Sequence, residues 1–150
     1  MNLEIISSSP DETMALGRRF APLLTAGDIV LLSGRLGSGK TLFVSGVAEG
    51  LGIREHVTSP TFVISRIYTD GFLPLVHADV YRLGSVAEFH DLELPDDGID
   101  GAVLVEWGDV IASSMPSDRL TIDFAFEGDT RRISFQPQGT WMSRNLAVLS

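Results

Sequence analysis

The chain has no cysteine, a single lysine, and no apolar run long enough to cross a membrane as a helix, which takes about 20 consecutive apolar residues. Without thiols there is no disulfide framework, no thiolate metal ligand and no cysteine nucleophile. A cytoplasmic protein fits that composition, and the first residues lack the basic segment and apolar stretch of a signal peptide. Positive charge is scarce too: 11 Lys and Arg against 20 Asp and Glu give a net charge of −9. A protein that grips nucleic acid by itself carries a basic footprint. Here the only adjacent cations are Arg18-Arg19 and Arg131-Arg132, so any role in nucleic-acid metabolism is expected to run through a partner. The remaining composition, 44% hydrophobic and 21% charged over 150 residues, is that of an ordinary globular protein. One domain spanning residues 1–150 is expected, large enough to bury about two-thirds of its unfolded surface.

The lone lysine, Lys40, closes the run Gly34-Arg35-Leu36-Gly37-Ser38-Gly39-Lys40-Thr41, a full match to the phosphate-binding P-loop pattern G-x-x-x-x-G-K-[ST]. Every other cationic side chain is one of ten arginines. Retaining lysine at this one place points to a need for a compact ammonium rather than a planar fork. The glycines let the backbone approach an anion with its N–H groups turned inward, and the following helix adds the positive end of its dipole. Lys40 would reach the β- and γ-phosphates, and the Thr41 hydroxyl would sit on Mg²⁺. The context agrees. Asp28–Ser33 is a short apolar run that reads as a buried strand, and Thr41–Glu49 reads as a helix with Phe43, Val44 and Val47 on one side. Gly46 inside that helix costs roughly 1 kcal/mol of propensity.

Elsewhere, Leu3–Ile6 reads as a first strand. Ser9-Pro10-Asp11-Glu12 carries the cap, first-turn proline and capping-box glutamate of a helix start. Leu16, Phe20, Leu23 and Leu24 follow at helical spacing, with Gly27 ending the element. Phe62–Thr69 and Leu73–Asp79 read as a hairpin around a tight Asp70-Gly71 turn, and Leu120–Phe126 and Arg131–Phe135 as a second. Gly101–Val105 is another buried strand. Short helices are expected over 86–92 and 109–114, and the last dozen residues carry no clear signal. The pattern predicts an α/β fold: a P-loop NTPase-like mixed sheet, its parallel centre flanked by antiparallel strands, with helices on both faces.

A P-loop needs a carboxylate for Mg²⁺ at the end of an apolar strand. Asp79 ends Leu75–Asp79 and Glu106 follows Val103-Leu104-Val105. In an open α/β sheet both could face the phosphates, or either could be satisfied by a nearby N–H or arginine. Thr61 belongs either to a switch-like loop or to a plain one. His77 shares a strand face with Asp79, and its default reading is packing or structural hydrogen bonding. Trp107 either covers a nucleotide or fills the sheet edge.

Taken in order, Gly34-x-Leu36-Gly37-x-Gly39-Lys40-Thr41, Ser59-Pro60-Thr61-Phe62, His77-x-Asp79-x-Tyr81-Arg82 and Glu106-Trp107 resemble the signature of the TsaE family. These are small bacterial P-loop ATPases of N6-threonylcarbamoyladenosine formation at tRNA position 37. The similarity spans nearly the whole chain, and the three blocks beyond the P-loop make it specific. It implies binding and hydrolysis of ATP with Mg²⁺, leaving ADP, and association with the TsaB–TsaD heterodimer, reset by hydrolysis between cycles. tRNA would be reached only through that complex. By the same resemblance, Leu36, Gly37, Ser38, Gly39, Lys40 and Thr41 hold the nucleotide, and Thr41 and Glu106 the metal. Asp79 also contacts the nucleotide and is needed for turnover, and Thr61 lies in a switch-like loop. Adenine contacts would come from the Asp11–Thr13 helix start, including Thr13, and from Arg131. Ser38 stands where alanine is common in the family.

Two other readings stay open at this stage. A small-molecule P-loop kinase needs an acceptor pocket and an arginine-bearing lid, and no arginine-dense segment follows the P-loop helix. A nucleotide-sensing module would keep Lys40 and Thr41 without depending on Asp79. A GTPase lacks support, because an Asn-Lys-x-Asp motif requires a second lysine.

Overall fold

The computed structural model describes residues 2–35, 37–57, 65–79, 101–106 and 116–150. Among them, seven strands form one sheet in the order β1-β7-β6-β2-β5-β4-β3. The strands are β1 (Leu3–Ser7), β2 (Ile29–Gly34), β3 (Ser65–Tyr68), β4 (Leu75–Asp79), β5 (Ala102–Glu106), β6 (Leu120–Glu127) and β7 (Thr130–Pro137). The four central strands β6, β2, β5 and β4 pair in parallel. β7 and β1 add antiparallel on one side, and β3 on the other. This is the expected mixed sheet with a parallel centre.

Residues in the parallel strands are buried on both faces, which is why β2, β4 and β5 read as apolar runs rather than as alternations. Val30, Leu32, Leu75, Leu104, Ile122, Phe124, Ile133 and Phe135 face a single core cluster together with both α-helices. Ile29, Leu31, Val76, Val103 and Val105 alternate with them and are also buried. Thus α1 (Pro10–Phe20) and α2 (Lys40–Gly50) lie on one face. The helices expected over 86–92 and 109–114 lie outside the described residues.

Helix α1 starts as its sequence dictates: Ser9 Oγ accepts from Glu12 N at 3.1 Å. The return bond differs from a standard capping box, since Glu12 Oε2 accepts from Ser8 N at 2.5 Å, one residue before the cap. The helix also stops earlier than its apolar spacing predicts. Pro22 has no N–H for the ladder, so the chain tightens into a 3₁₀ turn over Ala21–Leu23 instead of continuing to Leu24. The expected tight turn at Asp70-Gly71 is a longer connection between β3 and β4, tied to the end of α2. Arg54 N donates to Asp70 Oδ2 at 2.9 Å, and Phe72 N donates to Leu51 O at 2.6 Å.

The C-terminal segment, without sequence signal, closes the core. Trp141 is 1% exposed and stacks on Phe20 with ring centroids 5.7 Å apart. Arg144 lies over the indole at 3.9 Å from its centroid and grips both oxygens of Asp28, at 2.6 and 2.7 Å. The hydrogen bonds to Asp28 push the Arg144 guanidinium pKa further up, so the clamp keeps its cation at any physiological pH. It ties the chain end to the residue that leads into β2.

Gly46 has a packing reason that helix propensity does not contain. A Cβ there would meet the backbone of Met14, and its nearest neighbour on α1 beyond that residue is Gly17 Cα at 3.1 Å. The two helices therefore touch backbone to backbone. We expect Gly46→Ala to destabilise the protein by about 2–3 kcal/mol despite its propensity gain, because overpacking outweighs about 1 kcal/mol of helix preference. A lowered urea midpoint at unchanged slope is the result to look for.

Candidate nucleotide-binding site

Strand β2 delivers the chain to Gly34, and α2 begins at Lys40. Between them Gly34, Gly37 and Gly39 take φ of 141°, 82° and 108°, values that side chains with a Cβ rarely adopt. Gly39 is the N-cap of α2 and, having no side chain, leaves the first-turn N–H groups uncapped. Orphan donors at a helix N-terminus, with the dipole behind them, form a site for an anion. At Gly34 even space demands glycine, since a Cβ would stand 2.5 Å from Phe124 O and 2.8 Å from Ser38 Oγ. Ser38 is buried, with no partner for its Oγ among the described residues. Leu36 lies outside the described residues.

Lys40 is 4% exposed, an environment that a cation tolerates only with oxygen partners. Its Nζ donates to Gly34 O and, at 3.4 Å, to Arg35 O. The ammonium thus lies across the loop that opens the P-loop run, within the anion cradle.

The two candidate carboxylates stand side by side. Asp79 and Glu106 are register partners at the carboxyl ends of β4 and β5, 6% and 4% exposed. Glu106 Oε2 accepts from Thr41 Oγ1 at 3.0 Å, which joins the first turn of α2 to the sheet. A hydroxyl has one proton and two lone pairs. With its proton directed at Glu106, Thr41 can offer a lone pair to a cation. Mg²⁺ favours such hard oxygen ligands and typically takes one or two carboxylates together with nucleotide phosphates. Among the described residues no group of three or more His, Asp or Glu could hold a metal alone. The donor set therefore fits an ion brought in with a nucleotide.

Thr13 and Arg131 are also near the loop. They line one cavity with Ser7, Ser9, Gly37 and Gly39. Thr13 is buried, its Oγ1 is 2.7 Å from Ser7 Oγ, and its methyl would lie 3.5 Å from a Cβ at Gly39. Arg131 stands over the Phe126 ring at 4.2 Å, and Arg35 approaches the same ring at 5.9 Å. Asp11, the other end of the expected helix-start contact, is exposed. Thr61 and Trp107 lie outside the described residues. One buried member of the cluster has a larger place than its sequence reading gave it: His77 Nε2 meets Glu106 Oε2 at 2.5 Å. The period-two alternation that placed His77 on the Asp79 face was the available signal. The pairing of β4 with β5 was not readable from it.

A family model described as threonylcarbamoyl adenosine biosynthesis protein TsaE matches residues 7–133. The tRNA threonylcarbamoyladenosine biosynthesis protein TsaE of Streptomyces coelicolor is 47% identical over 146 residues, covering 90% of this chain and 97% of that one. Its namesake from Bacillus subtilis is 44% identical over 132 residues, with 87% and 83% covered. The crystal structure of Bacillus subtilis YdiB superimposes with a TM-score of 0.77 at 36% identity, covering 95% of this chain and 90% of that one. With motif order, sheet and sequence in agreement over nearly its whole length, the chain belongs to the TsaE family.

Proposed function

We propose that this chain is a Mg²⁺-dependent ATPase of tRNA threonylcarbamoyladenosine biosynthesis that acts on a TsaB–TsaD heterodimer and resets it between cycles. The observation that carries the reading is the convergence of three elements at one sheet edge: the uncapped glycine loop with Lys40, the Thr41–Glu106 hydrogen bond, and Asp79 in register with Glu106. Loop N–H groups and Lys40 hold the β- and γ-phosphates, and Thr41 and Glu106 hold the metal. Held by Thr41 and Glu106, Mg²⁺ would supply charge neutralisation at the phosphate oxygens. Asp79 positions the attacking water. That water's oxygen bonds to the γ-phosphorus, the bond to the bridging oxygen breaks, and ADP, phosphate and a proton leave. Thr13 and Arg131, beside the loop, are the side chains placed to meet the rest of the nucleotide, and Thr61 is assigned to the switch segment. The net charge of −9 supports a protein that reaches tRNA through its partners rather than by its own surface, in the cytoplasm where tRNA is modified.

Phosphate release from Mg-ATP, measured with and without the heterodimer, tests the function directly. Strong stimulation by the heterodimer is expected; label from ATP arriving on a small-molecule acceptor instead would make the chain a kinase. Lys40→Ala should lower ATP affinity by at least about tenfold, the loss of one charge-assisted contact to phosphate, with the fold retained. Calorimetric titration reads this, and unchanged affinity would remove the lysine from the site. For Asp79→Ala the expectation splits, with ATP binding retained and phosphate release lost by about 10²-fold or more. Equal loss of both would assign Asp79 to binding.

A further inference from the structure

Among the described residues, His77 is a titratable side chain completely removed from solvent, 0% exposed in the middle of β4. Its register partner is Leu104 of β5, so its ring lies on the face from which Glu106 projects two residues later. Its Nε2 contacts Glu106 Oε2 at 2.5 Å, and the same oxygen takes the Thr41 hydroxyl at 3.0 Å. A carboxylate only accepts hydrogen bonds, so Nε2 carries the proton and donates it. Nδ1 has no partner among the described residues. The ring is therefore held through its Nε2 contact with Glu106. Both contacts of the carboxylate thus converge on Oε2, and its other oxygen is the one it can turn toward a cation.

We propose that His77 is a positioning residue for the metal-binding carboxylate. By holding Oε2 of Glu106 together with Thr41, it fixes the rotamer in which the second oxygen meets the divalent cation of a metal–nucleotide complex. The proposal rests on the reading of Glu106 as the metal carboxylate. It assigns His77 no contact with nucleotide and no proton transfer. Groups that orient a ligand in this way commonly contribute roughly 10- to 100-fold in metal affinity. A histidine that only filled the core would leave metal affinity and nucleotide affinity equally affected by its replacement.

The test uses the full chain and two variants. His77→Phe keeps a ring and removes the donor; His77→Gln keeps an amide N–H at about the reach of Nε2. Mn²⁺ binding to the protein–ADP complex is followed by electron paramagnetic resonance, and ADP binding in EDTA by fluorescence of a labelled nucleotide. The imidazole tautomer of the wild type is read by nitrogen-15 NMR without nucleotide. Expected are the Nε2–H tautomer, Mn²⁺ affinity lowered roughly 10- to 100-fold in His77→Phe, unchanged ADP affinity in EDTA, and substantial recovery in His77→Gln. An Nδ1–H tautomer overturns the proposal, even if His77→Phe fails to fold. So does wild-type Mn²⁺ affinity in His77→Phe, or a parallel loss with and without metal that glutamine does not repair. If the wild type itself binds ADP without regard to Mn²⁺, the metal reading of the site falls and the proposal with it. Normal metal dependence in the wild type, unaltered in the variants, removes the proposal alone.

Discussion

Parallel pairing of β2 with β5, and of β5 with β4, is the constraint from which the site follows. Parallel strands end at the same edge of a sheet, so Gly34, Glu106 and Asp79 are delivered together although they are far apart in sequence. Register then decides which of their side chains meet. Leu32 pairs with Glu106, and Glu106 with Asp79. A slip of one residue in β5 would turn Glu106 to the opposite face, away from Thr41, and put a valine in its place. The aliphatic residues of β2, β4 and β5 forbid that slip because both faces of these strands are buried. The core holds this edge in register, and hydrogen bonds from Thr41 and His77 orient the Glu106 carboxylate within it.

The second support is the close crossing of α1 and α2. The glycines Gly17 and Gly46 let the two backbones touch, which brings Thr13, near the start of α1, against the glycine loop at the start of α2. If the helices were held apart by a methyl layer, the cavity between Thr13, Arg131 and the loop would open and the loop would lose a wall. At the far end of α1, Phe20 packs on Phe43 of α2 and on Trp141. Trp141 in turn underlies the Arg144 guanidinium that grips Asp28, just before β2. The segment entering β2 and the helix leaving the loop are thereby fastened to the same aromatic cluster, so the phosphate loop hangs between two fixed posts.

Much of this was legible. The P-loop, its strand and its helix follow from one lysine and three glycines, the β6–β7 hairpin follows from alternation and turn residues, and the β3–β4 pair was legible in its strands but not in its connection. Asp79 and Glu106 were found because apolar strands end at them. The illegible parts share a physical cause: they depend on contacts between segments distant in sequence. The two 3₁₀ turns of the C-terminus have no period long enough to read, and Trp141 finds its place only because Phe20 is there. Gly46 reads as a weakness in a helix until α1 is laid across it. The stop after Phe20 was readable in principle, since Pro22 removes a donor, but the leucine spacing beyond it argued the other way. His77 could be put on a face but not against Glu106, because the contact exists only once β4 and β5 are paired. The Ser59–Phe62 block and the Tyr81-Arg82 pair lie outside the described residues.

The positions that sequence physics would advise against are concentrated at one place. A lysine 4% exposed and carboxylates 4% and 6% exposed are each unfavourable by the ordinary rules of folding. A histidine completely removed from solvent joins them. They are tolerable together because each satisfies another. Lys40 is held by the carbonyls its own loop exposes, and Glu106 accepts hydrogen bonds from Thr41 and His77. Partial versions of the cluster would be worse than none, since removing one member leaves a buried polar group without its partner. A chain selected for stability alone would fill this edge with apolar residues, as it does one residue earlier with Ala78 and Val105. That it instead places Lys40, His77, Asp79 and Glu106 together at the edge where parallel strands present ligands is a physical argument, independent of family resemblance, for a binding site there.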